Sequence, residues 1–184
     1  MTLADPALTG KQGFEVNVDD LLSEFQSESK SLIGQLIELL EEIESDYSQH
    51  KRLENYGQIV DRIMGAAKSL EILAIGPKAK LDLIGNYSEI GKTVAYKASQ
   101  VHDNPNLFTL VVAFLMDATE MLKGLIDSLA DTAPMDIKSV TSKTFLDRLY
   151  WLSQQFGEGL RGTLDSGEGP KKISISELLK NFGN

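Results

Sequence analysis

Cysteine is absent from the chain, which excludes disulfides, thiol nucleophiles and cysteine-held metals. Histidine is scarce, with two residues in all, His50 and His102. Basic runs are missing too: Lys51 with Arg52, and Lys171 with Lys172, are the only adjacent basic pairs. With a net charge of −9, neither nucleic acid nor an anionic membrane surface is an expected partner, because both call for a basic footprint. The longest largely apolar run, residues 107–116, is about half the length of a membrane span. Residues 1–13 have no basic start and no apolar run, so no secretory signal is expected there and a cytoplasmic location is. No repeat of about 20–50 residues is visible. What remains is 184 residues, 42% hydrophobic and 24% charged, enough for one soluble domain with a core and a tail. No cofactor and no metal is expected.

Apolar residues recur at helical spacing through most of the chain, and no stretch alternates as a strand would. Residues 1–16 lack periodicity and are expected to be mobile. A long amphipathic helix begins near Val18 behind Asn17 as cap, with the seam Val18, Leu22, Phe25, Ser29, Leu32, Leu36, Leu39, Leu40, Ile43. A second follows over residues 54–74 and stops at Gly76 and Pro77. The third, residues 78–101, carries Gly85 and Gly91, at which a kink or break is expected. Asn104 and Pro105 read as cap and first residue of the fourth helix, residues 107–130. Two parallel apolar stripes run down that helix, so it is buried on more than one side. A fifth helix after Thr141 or Ser142, with the seam Phe145, Leu149, Leu152, Phe156 and Trp151 on its flank, is the candidate to cover it.

The second helix has a seam of Leu53, Tyr56, Val60, Ile63, Ala67, Leu70 and Ala74, and an opposite stripe of Glu54, Gln58, Asp61, Gly65, Lys68 and Ile72. Such a stripe faces solvent or a partner. Any solvated helix shows polar residues there, but a mid-helix glycine is costly, and close approach by something is the usual reason for one. The run Arg62-Ile63-Met64-Gly65-Ala66-Ala67-Lys68-Ser69 resembles the Arg-x-x-His-x-x-Lys-Gly pattern of histidine phosphotransfer (HPt) domains. Phe25-Gln26-Ser27-Glu28 is similar to the Phe-x-x-Glu of their first helix. The likeness covers roughly residues 18–130 and implies an antiparallel four-helix bundle that docks a response-regulator receiver domain. Gly65 stands at the histidine position and Ser69 at the glycine position. Glycine has no nucleophile, so phosphotransfer through this position is excluded. The implied receiver-binding residues are Gln58, Asp61, Arg62, Gly65, Ala66, Lys68, Ser69 and Ile72.

A second resemblance lies in Glu54-Asn55-Tyr56-Gly57-Gln58, which is similar to the acid-x-x-Gly-Gln pattern of CheZ-type receiver phosphatases. It implies Gln58 as the residue that orients the attacking water and Glu54 as the contact to the receiver's lysine. Near the C-terminus, Ile175, Leu178, Leu179 and Phe182 share one face of a short helix, and Ser174 with Glu177 forms a capping box in front of it. So short a helix needs a surface to fold on. Residues 177–183 resemble the receiver-binding tail of the same family, and docking back on the chain's own helices is the alternative.

The expected architecture is thus all-α: an HPt-like antiparallel four-helix bundle over residues 17–130, a linker and fifth helix over 131–163, and a tethered amphipathic tail over 164–184. The expected function is receiver binding without phosphotransfer. A CheZ-like phosphatase using Gln58 and Glu54 is the alternative, and a homodimeric scaffold built on the fourth and fifth helices is the second alternative.

Overall fold

The computed structural model describes residues 17–131 and 142–157, with 159, 160 and 162. Ile175, Leu178, Leu179, Phe182 and their capping box lie outside the described residues. Those described contain five α-helices, two short 3-10 turns and no strand.

Helix α1 is Val18–Ile43. Asn17 caps it by accepting from the Asp19 amide at 3.1 Å, and Asp19 and Asp20 sit at the positive end of its dipole. Its seam is buried from Phe25 to Ile43, while Val18 at its start is 49% exposed. The 3-10 turn Tyr47–Arg52 follows, capped by Asp46. Hydrogen bonds from Ser48 and Gln49 hold the Asp46 carboxyl below the usual carboxylate range. Helix α2, Leu53–Ile72, buries Leu53, Tyr56, Val60, Ile63, Ala67 and Leu70.

Ala74 is not part of that seam. The helix ends at Ile72, and Ala74 is an exposed residue with φ of 56°. Its amide bonds to Glu71 O at 3.0 Å and the Ile75 amide to Leu70 O at 2.9 Å. This is a Schellman closure with alanine at the left-handed position, and it is Ile75 that turns into the core.

Helix α3, Lys78–Ser99, runs unbroken through Gly85 and Gly91, so neither glycine breaks it. Both glycines are buried, and a Cβ on Gly91 would stand 3.2 Å from the Tyr56 hydroxyl. The glycine therefore admits a ring from α2. Most of α3 is buried, including Ser88, Thr93 and Ser99, so its buried arc is wider than the single seam its apolar residues mark.

Helix α4 is Pro105–Asp127, capped by Asn104, which accepts from the Leu107 amide at 3.0 Å. Both of its apolar stripes are buried, except for a half-buried Met121. A 3-10 turn, Ser128–Ala130, follows. Lys80, only 6% exposed, lays its ammonium on the carbonyls of Ser128 and Asp131. Gln26 donates to Ile126 O at 2.8 Å. Two neighbouring helices thus donate to carbonyls at and just past the end of α4, where intrahelical donors run out.

Cross-helix pairs give the directions of the chain. Glu42 meets Arg52 and Glu28 meets Arg62, so α1 and α2 run antiparallel. Asp61 meets Lys92 and Lys68 meets Glu89, which sets α3 antiparallel to α2. Each of α1 to α4 packs on its predecessor and successor, and α4 returns to α1. Helix α5, Lys143–Gln155, is capped by Ser142 and lies on α4. Phe145 stacks on Phe114 at 4.9 Å and meets Tyr87 at 5.4 Å, while Arg148 pairs with Asp117 and lies over the Phe114 ring. Trp151 stays 45% exposed on the flank. Among the described residues, no helix is long and apolar enough to cross a membrane.

Candidate docking face on the second helix

The stripe opposite the seam of α2 is an outer face. Gln58, Arg62, Gly65, Lys68, Ser69 and Ile72 are exposed, and Glu54, Asp61 and Ala66 are half-buried. Ile72 at its end is 83% exposed and the adjoining Leu73 64%, an apolar step bordering a charged surface.

Four interactions organise the face. Asp61 Oδ1 accepts from Lys92 Nζ at 2.7 Å. Arg62 Nη2 donates to Glu28 Oε1 at 2.8 Å, toward α1. Lys68 Nζ donates to Glu89 Oε2 at 3.2 Å, toward α3. Ser69 Oγ turns back onto Gly65 O at 2.9 Å, so the glycine carbonyl is satisfied within the helix. The Arg62–Glu28 pair is exposed on both sides and worth on the order of 1 kcal/mol or less. A partner's carboxylate can therefore take Arg62 from Glu28 at little cost, while Lys68 is held by a carboxylate that is mostly shielded from water.

The two glycines of the stretch differ in surroundings. Gly57 is buried, and a Cβ there would stand 2.7 Å from the ring of Tyr96 on α3. Gly65 has nothing within 4 Å of its Cβ position. Burial pushes the Tyr96 phenol up to about 12, with the charges of Asp61 and Glu54 adding to the effect. The phenol is thus a neutral group next to the two carboxylates of the stripe. Gln58 makes no side-chain hydrogen bond to a described residue, so its amide is open toward solvent. The Glu54-to-Gln58 spacing puts both residues on one side of α2, and Glu54 lies close enough to Tyr96 to raise its phenol. Gly57, however, is required by Tyr96 whatever chemistry Gln58 performs.

Tyr96, Lys92 and Glu89 on α3, and Glu28 on α1, belong to this face although the α2 pattern does not name them. Glu89, Lys92 and Tyr96 are three and four residues apart, a helical stripe that could have flagged them. The face is open, and the groove beside it on α1 is lined by Asp20, Ser23, Glu24, Ser27, Glu28 and Ser31, a polar lining unlike that of a small-molecule pocket. Comparisons with protein-family models, curated proteins and solved structures found no match to this chain.

Proposed function

We propose that this chain is an adaptor that binds a response-regulator receiver domain through the outer face of α2, without relaying phosphate. In this reading α1 to α4 form an antiparallel four-helix bundle of the HPt kind, with the acceptor histidine replaced by Gly65. The observation that supports it is the setting of Gly65. A mid-helix glycine costs about 1 kcal/mol relative to alanine, and among the described residues no atom lies within 4 Å of where its side chain would go. Gly34 and Gly124 are equally open, but only Gly65 has a cation three residues before it and another three after, Arg62 and Lys68. A bare backbone ledge between two cations fits a partner that approaches closely and presents acidic groups, as a receiver's phosphoacceptor site does.

Ala66 and Ser69 keep the ledge low, and Ile72 supplies an apolar contact at its rim. The phosphatase alternative is favoured by one observation, the open amide of Gln58 beside Glu54. The two readings share the partner and differ over the phosphate.

Binding is tested by titrating the receiver domains of the same genome into the protein and following isothermal heats. One receiver is expected to bind. Gly65→Gln, which keeps a good helix former, should weaken that binding at least ten-fold with unchanged helical circular dichroism. Absence of binding to every receiver would overturn both the adaptor and the phosphatase.

A further inference from the structure

The chain's two histidines come from different connections and meet at one end of the fold. His50 lies in the 3-10 turn before α2, and His102 in the turn between α3 and α4. Their rings are perpendicular with centroids 5.3 Å apart. Tyr47 fixes this arrangement. Its ring stacks on His50 at 5.2 Å, and its hydroxyl donates to Val101 O at 3.3 Å and accepts from the Asn104 amide at 3.2 Å.

His50 Nδ1 lies 3.2 Å from Tyr47 O. A carbonyl can only accept, so Nδ1 carries the proton and Nε2 of the neutral ring holds a lone pair. That Nε2 is buried and has no hydrogen-bond partner among the described residues. A histidine whose Nδ1–H is anchored on a backbone carbonyl, leaving Nε2 bare, is set up as metal-ligating histidines are.

We propose that His50 and His102 form a two-imidazole site for a divalent transition-metal ion such as Zn²⁺. Two imidazoles on one tetrahedral ion, with metal–nitrogen bonds of about 2.0–2.1 Å, place their centroids roughly 5–6 Å apart, the separation seen here. His102 is exposed and can turn a ring nitrogen toward the ion. Among the described residues no cluster of three or more His, Cys, Asp or Glu could hold a metal, so the two imidazoles are the protein ligands; His50 Nε2 is closed to solvent, and water reaches the remaining positions from the exposed His102 side. The bound ion would tie the turn before α2 to the turn after α3. The site is remote in role from the α2 face and does not rest on the adaptor reading.

The test is a calorimetric titration of Zn²⁺ into chelator-treated, tag-free full-length protein. One ion per chain is expected with micromolar affinity, and His50→Ala and His102→Ala should each weaken binding at least ten-fold. Because the ion binds only the folded chain, Zn²⁺ should also raise the thermal midpoint of the wild type and leave that of His102→Ala unchanged. The His102 variant changes an exposed turn residue, so it keeps the test valid if His50→Ala misfolds. No binding up to millimolar Zn²⁺, or binding that His102→Ala leaves intact, would overturn the site.

Discussion

Gly57 and Gly65 lie on the same helix and answer to different neighbours. A methyl on Gly57 would collide with the Tyr96 ring, so Gly57→Ala should destabilise the fold by about 1–3 kcal/mol, the usual cost of overpacking. A methyl on Gly65 meets nothing, so Gly65→Ala should stabilise it by about 0.5–1 kcal/mol. Urea unfolding of the two variants beside wild type checks both signs. Tyr96 itself supplies a pH signature. Its phenol ionises near 10.0 when unfolded and at about 12 when folded. The stability it contributes is complete below pH 10 and is lost as pH rises toward 12. Burial also raises Tyr56 and Tyr87, so Tyr96→Phe should flatten the alkaline decline only in part, which urea midpoints from pH 9 to 11.5 would show.

At the scale of the helix, the end of α2 carries a correctable strain. Ala74 occupies the left-handed position of a Schellman closure, where a Cβ costs roughly 1–2 kcal/mol. Ala74→Gly should recover about 1 kcal/mol, visible as a higher unfolding midpoint. The doubly buried α4 gives the opposite test. Leu115 and Leu122 are buried to within 2%, and truncating either to alanine should cost about 2–5 kcal/mol. The two stripes of α4, the caps Asn17 and Asn104, and the covering role of Phe145 were all legible in the sequence, because large apolar residues and capping side chains announce themselves locally. Ala74 was misread because its spacing continues the seam while the chain has already turned. The broad burial of α3 was hidden because Gly85, Ser88, Gly91 and Ser99 bury by being small, which hydropathy does not register. The face of α2 was legible as a stripe. Glu89, Lys92 and Tyr96 were legible only as a stripe of their own helix; that they and Glu28 join this face follows from the antiparallel packing of α1, α2 and α3, and the meeting of His50 with His102 is likewise a product of tertiary structure.

For the whole molecule, the outer face of α2 sets Gly65 between two basic residues, Arg62 and Lys68, each paired with an acid, on a chain that is acidic overall. An acidic partner would be repelled by the bulk of the surface and attracted at Arg62 and Lys68, which favours one orientation of approach. Lys68→Ala should therefore weaken receiver binding and reduce its dependence on salt. In the adaptor reading this ledge holds a phosphorylated receiver without acting on its phosphate. The direct measurement adds the protein to its phosphorylated receiver and follows complex formation and phosphate release together. A complex weakened by Gly65→Gln is expected, with a release rate unchanged from that of the receiver alone. Accelerated release that disappears in Gln58→Ala would contradict it and make this face a phosphatase site.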